Sequence, residues 1–170
     1  AKMPAHRFAI NLSPTSVCQA RFPVEVSQLL AKYQIEAWQL IFEVTESNAL
    51  TNVKQAQITL QHLQELGCQI AIDDFGTGYS NLRYIRDMTF GIIKIDRMFV
   101  QNIDSNAENY SLVEYVIDMA HKLGIKVCVE GVETAEELVC VKALGTDCIQ
   151  GYYYGKPMQA DEFESKFIRN

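Results

Sequence analysis

The chain has little that would mark it for a membrane, a polymeric nucleic acid or an oxidising compartment. No apolar run approaches the length needed to cross a bilayer, and no stretch reads as a signal peptide. Lysine and arginine number 15 against 21 aspartates and glutamates, a formal net charge of −6, and they form no basic run. This argues against DNA or RNA as partner, because backbone binding needs a basic stripe to displace counterions. It leaves room for a small phosphate ester held through a metal. The five cysteines (Cys18, Cys68, Cys128, Cys140, Cys148) are scattered and make no C-x-x-C pair, as expected of reduced thiols in a cytosolic setting. Cys128, Cys140 and Cys148 lie in apolar runs and read as small hydrophobes. None of the three histidines (His6, His62, His121) ends an apolar run, which argues against a His-rich zinc site or a Ser-His-Asp triad; His62 and His121 read as helix-surface residues. No linker or low-complexity tract interrupts the 170 residues, so one domain with a full core is expected. The chain opens on Ala1 rather than Met and reads as a piece of something longer.

What the sequence does have is six short apolar runs, each closing on a residue able to bind a metal or a phosphate. They are FAIN at Asn11, LIFEVTE at Glu43 and Glu46, IAIDD at Asp73 and Asp74, IIKID at Lys94 and Asp96, VCVE at Glu130, and CIQG at Gln150. Helix-like stretches separate them. The segment 52–66 places Val53, Ile58, Leu60, Leu63 and Leu66 near helical spacing before Gly67. The segment 109–123 does the same with Leu112, Val113, Val116, Ile117, Met119, Ala120 and Leu123 before Gly124. Thr134-Ala-Glu-Glu137 reads as a capping box opening a third helix with Leu138, Val141 and Leu144, stopped by Gly145. Repeated strand–helix units imply a parallel sheet whose ligands gather at the carboxyl ends of the strands. Six units fall short of an eight-stranded barrel of about 250 residues, and a doubly wound open sheet is the alternative that the pattern leaves open.

Two adjacent carboxylates after an apolar run are costly to bury, since each raises the other's pKa, and a divalent cation relieves the cost. Asp73 and Asp74 are such a pair, with the strand expected to end there so that a turn swings Asp74 back; the bland reading is a loop-capping Asp. Glu43, Asp73, Asp74 and Glu130 together carry four negative charges, which two hard divalent ions such as Mg²⁺ or Mn²⁺ would cancel. Asn11 adds a carbonyl oxygen of the same kind. A metal pair of this type hydrolyses phosphate esters. Lys94 is either a structural ion-pair partner or a group that orients or deprotonates water. Glu130 is a candidate for holding that water, Gln150 for contacting a base or phosphate, and Asp96 for sharing the face of Lys94. Tyr152, Tyr153 and Tyr154 read as strand filler. Phe75-Gly76-Thr77-Gly78-Tyr79-Ser80 has the glycines of a mobile lid. Its D-F-G lacks every other protein-kinase element, and its G-T-G lacks the third glycine of a dinucleotide fingerprint.

In these motifs (Asn11-Leu-Ser13, Glu43-Val-Thr-Glu46, Asp73 to Ser80, Lys94-Ile-Asp96, Glu130-Gly-Val-Glu133, Gln150-Gly-Tyr-Tyr153) the chain resembles the EAL domain family in order and spacing, over essentially its whole length. The resemblance implies a modified (β/α)8 TIM-barrel-like α/β fold and a pair of Mg²⁺ or Mn²⁺ ions. The implied activity is bacterial hydrolysis of cyclic di-GMP to linear pGpG. Metal ligation falls to Asn11, Glu43, Asp73 and Asp74, and positioning of the attacking water to Lys94 and Glu130, with Gln150 serving the same site. Glu46 would anchor the Gly76–Ser80 loop, which links metal binding to homodimer contacts. The reaction would take place in the cytoplasm, in a free protein or in the cytoplasmic domain of a larger signalling protein. The family's Glu-Ala-Leu strand has no counterpart: Glu36-Ala37-Trp38 sits in a turn before the Glu43 strand. About six of eight βα units are therefore expected, as a partial domain over 1–170 without the first two strands, with little activity in isolation. A receptor or interaction module that keeps the fold without turnover is the alternative, and enolase-like proton abstraction a remoter one.

Overall fold

The computed structural model describes residues 6–45, 53–77 and 90–168. Six strands form one sheet: β1 (Phe8–Asn11), β2 (Leu40–Thr45), β3 (Gln69–Phe75), β4 (Ile92–Ile95), β5 (Lys126–Val129) and β6 (Cys148–Ile149). Every neighbouring pair is parallel, and the spatial order is the chain order from β1 to β6. A doubly wound sheet would reverse its order at a switch point. This one never reverses, and it curls as a half-barrel.

Alternation along the strands gives the sheet two faces. The outer face carries Phe42, Val44, Ile70, Ile72, Ile93, Ile95, Val127 and Val129, all buried. The helices α1 (Pro14–Val17), α2 (Phe22–Tyr33), α3 (Val53–Glu65), α4 (Ala107–Lys122) and α5 (Ala135–Ala143) pack onto it, whereas α6 (Ala160–Phe163) lies on the inner, cleft side. Leu60 and Leu63 of α3, Val113, Val116, Ile117 and Ala120 of α4, and Leu138 and Val141 of α5 join the strand residues in one core. Each fully buried aliphatic side chain there contributes roughly 1.5–3 kcal/mol. This layer, between sheet and helices, is what holds the strand ends in place.

The helix stops fall as expected, with Gly67, Gly124 and Gly145 at positive φ. The Thr134–Glu137 capping box forms. The Glu36-Ala37-Trp38 stretch is a turn of 3-10 helix capped by Glu36. Four expected core positions are corrected: Ile58, Leu66, Leu112 and Leu123 are exposed. Ile58 and Leu112 lie on the flank of an apolar stripe narrower than the sequence allows, and Leu66 and Leu123 follow the last residues of α3 and α4. Tyr152 to Tyr154 form an exposed turn after β6, not part of a strand.

Candidate functional site

Polar side chains meet where β2, β3, β4 and β5 present their carboxyl ends on the inner face. Lys94 sits at the centre, its side chain only 6% exposed. Its Nζ lies 2.6 Å from Glu43 Oε1, 3.0 Å from Asp73 Oδ1 and 2.7 Å from Glu130 Oε1. Burial works against its charge, yet hydrogen bonds to Glu130 and Glu43 outweigh that and hold the ammonium well above the ordinary lysine pKa. In this arrangement Lys94 is an ammonium that donates to the carboxylates around it. Glu130 shifts the other way for its kind: burial raises its carboxyl pKa, with Lys94 holding the rise back.

The two aspartates reach this point by a device that the sequence does not announce. Strand β3 does not end at the pair; it runs on to Phe75. Ile72 pairs with Ile93 and Phe75 with Ile95, so two residues of β3, Asp73 and Asp74, stand opposite the single Lys94 of β4. That is a β-bulge. Asp74 takes a left-handed conformation, φ 54°, which Asp tolerates better than most residues. Strict alternation would have aimed Asp74 into the helix layer; the bulge keeps it on the site side and returns Phe75 to the core. Burial, Asp73 and Asp96 raise the Asp74 carboxyl pKa, and Lys94 opposes them.

Asn11 pairs in register with Glu43 and shares its face at the exposed β1 edge. Gln150 follows β6 and is exposed; its backbone N–H donates to Val129, and its carbonyl accepts from Val132. The Gln150–Gly151 backbone lies so close to Val132 that any Cβ at Gly151 would collide with that backbone. The turns carrying Glu130 and Gln150 are thereby locked together. Asp96 caps the 3-10 turn Arg97–Phe99, accepting from Met98 N at 2.8 Å with one of its two oxygens. Phe75, expected in the lid, is instead the last residue of β3 and is buried in the core; Gly76 and Thr77 follow the strand, with the Thr77 hydroxyl donating to the Asp74 carbonyl. Glu46, Gly78, Tyr79 and Ser80 lie outside the described residues.

A cleft of about 1390 Å³ opens beneath the site, lined by Glu43, Lys94, Glu130, Gln150, the inner-face residues of the strands and the C-terminal segment. Among the described residues no three acidic, histidine or cysteine side chains are arranged to hold a metal ion by themselves. The donors nonetheless fit a hard divalent cation. Asp73 Oδ1 is buried and ion-paired with Lys94 at 3.0 Å, with no donor aligned to hydrogen-bond it. Glu43, Asp73, Asp74 and Glu130 also bring one charge each against the single Lys94, leaving an excess of about three negative charges in a poorly hydrated spot.

Four features escaped sequence reasoning. The bulge has no signature in composition. Glu137 is buried, and its carboxylate accepts from Glu133 N, Thr134 N and Asn102 N, bracing the turn after Glu130. His121, expected as an ordinary surface residue, is paired with Asp147 at 2.8 Å. Cys148 is exposed in the cleft rather than filling the core, and stands beside Cys128 on the next strand. That last pair had a signal: V-C-V-E and D-C-I-Q each place Cys two residues before the strand-end polar group.

The EAL domain family matches residues 1–157. The cyclic di-GMP phosphodiesterase PdeF of Escherichia coli K12 is 67% identical over 157 residues, covering 92% of this chain and 21% of that protein. This chain thus spans about a fifth of the length of that relative. Among solved structures, the PaMucR phosphodiesterase in complex with c-di-GMP aligns with a TM-score of 0.85 at 33% identity, over 92% of this chain and 64% of that one. Klebsiella pneumoniae BlrP1, in a manganese/cy-diGMP complex, gives a TM-score of 0.85 at 32% identity, over 91% and 40%. With the motif order, the parallel half-barrel and the acidic cluster around Lys94 in place, the chain belongs to the EAL domain family.

Proposed function

We propose that the protein containing this chain hydrolyses cyclic di-GMP to linear pGpG in bacterial second-messenger signalling, and that residues 1–170 supply most of one EAL domain. The observation that carries this is the Lys94 ammonium held within 3.0 Å of carboxylates from β2, β3 and the turn after β5, an acidic cluster that one ammonium does not balance. Asn11, Glu43, Asp73 and Asp74 would hold two divalent cations, Mg²⁺ or Mn²⁺, which when bound neutralise phosphate charge and acidify water. Glu130, made more basic by burial, takes a proton from the attacking water. Lys94, locked as a donor, orients that water and offsets charge on the phosphate. The water oxygen bonds to phosphorus, one ring P–O bond breaks, and the departing sugar oxygen takes up a proton. Gln150 offers its amide to the nucleotide, and Asp96 the oxygen its cap leaves over. Gly76 and Thr77, which follow β3, would begin the lid in this reading, with Phe75 held in the core. Two further strands lying between the β1 and β6 edges would complete the barrel, which the 64% coverage of PaMucR supports. A second copy of the protein and a cytoplasmic setting belong to the same reading.

The full-length protein, given cyclic di-GMP and Mn²⁺, should release pGpG. Glu43→Ala should abolish release with the circular dichroism spectrum unchanged. Tight nucleotide binding without turnover in the unaltered full-length protein would overturn the hydrolase in favour of a receptor module. The isolated 170 residues should hydrolyse little or nothing.

A further inference from the structure

We propose that Cys128 and Cys148 form a cross-strand dithiol on the floor of the cleft, a modification site that closes to an intrachain disulfide under a peroxide or a low-molecular-weight disulfide. The two are direct register partners on β5 and β6. Neighbouring strands lie about 4.8 Å apart, inside the roughly 4.4–6.8 Å between Cα atoms that a disulfide spans. Parallel pairing in register aims both side chains to the same face, and both line the cleft together with Lys94 and Lys126. Cys148 is exposed and Cys128 half-buried, so an oxidant reaches the first while the second waits beside it. The other thiols are elsewhere: Cys68 is in the helix–sheet core, and Cys18 and Cys140 pack against it.

The chemistry of the pair is divided between attacker and resolver. Hydrogen bonding with Cys128, helped by Lys126 and Arg7 against burial and Asp147, pulls the Cys148 thiol down to about 6. Cys128 is pushed up by the same hydrogen bond and by burial. Cys148 is thus the thiolate that meets the oxidant. With hydrogen peroxide, Cys148 sulfur takes one oxygen, the O–O bond breaks and one water leaves. Cys128 sulfur then bonds to the sulfenic sulfur, expelling a second water. Two thiol protons and two electrons pass to one peroxide, so the step balances.

The test is peptide mapping of the native full-length protein after hydrogen peroxide or oxidised glutathione, alkylation and trypsin. A dithiothreitol-sensitive species joining 127–142 to 143–166 is expected, with Cys140 alkylated and at least tenfold more abundant than any other pairing. Cys140→Ser should retain it and Cys128→Ser lose it. Full alkylation of Cys128 and Cys148 after excess oxidant would overturn the proposal. So would a bridge that survives in Cys128→Ser.

Discussion

Ile93 and Lys94 are neighbours on β4, both buried, and they face opposite worlds. Ile93 enters a sealed apolar layer between sheet and helices. Lys94 enters a nest of carboxylates above an open cleft. The outer face is stable because it excludes water, and any similar apolar residue serves there. The inner face holds like charges together at an energetic cost, which a single ammonium only partly offsets. One face supplies the stability, and the other spends part of it on chemistry.

Removing that ammonium should break the comparison most sharply. Lys94→Ala leaves three carboxylates without their counter-charge, and breaking a buried ion pair on one side costs about 3–5 kcal/mol. Urea unfolding at neutral pH measures the loss, and in the full-length protein turnover should fall more than nucleotide affinity. The loss should shrink in acid. The pKa of folded Glu130 is raised, so the folded state takes up that proton before the unfolded chain does, and repulsion fades as pH falls through it. For the unaltered protein the alkaline side has the opposite sign. Lys94 has a higher pKa folded than its ordinary 10.5, so its stabilisation is complete below that value and is lost as pH rises through the folded pKa. A Lys94→Ala protein as stable as the parent would show that the carboxylates do not repel as the geometry requires.

The outer face should respond to volume rather than charge. Ile93→Ala is expected to cost about 2–5 kcal/mol, as cavities in sealed cores do. Ile41→Ala, on the cleft wall and already part-exposed, should cost less than half as much, because water fills the space. Equal losses by thermal unfolding would mean that the two faces are not distinct.

How far the sequence foretold this division depends on what sets each feature. The six strands and the polar residues at their ends were legible because apolar runs and Gly stops are local signals. Strand order was not: it follows from which helices find a common outer layer, a property of the whole chain. Asp74 was expected to reach the site by a turn at the strand's end, because a period of two says nothing of bulges; the strand instead continues. Ile58 and Leu112 were misjudged for a related reason, since helical spacing fixes a stripe but not its width. Cys128 and Cys148 were read singly as hydrophobes, although their equal offsets from Glu130 and Gln150 follow from parallel register.

Between the two faces lie the turns that join strand ends to helices, and Gly151→Ala probes their packing. A Cβ there would collide with the Val132 backbone, so one turn must move, at about 1–3 kcal/mol. Turnover should fall as Gln150 shifts relative to Glu130. Unchanged kinetics would mean that the close approach has no bearing on the site.

The smallest effect is expected one turn further out. The Thr134 hydroxyl accepts from Glu137 N at 3.1 Å, and Thr134→Ala should cost about 1 kcal/mol, the usual worth of an N-cap. Turnover should stay unchanged, because the Glu137 carboxylate keeps its bonds from Glu133 N at 2.8 Å and Asn102 N at 3.2 Å. Those bonds, rather than the cap, fix the turn that follows Glu130. If Thr134→Ala slowed turnover as much as Gly151→Ala does, the cap and not the carboxylate would be holding the Glu130 turn in place.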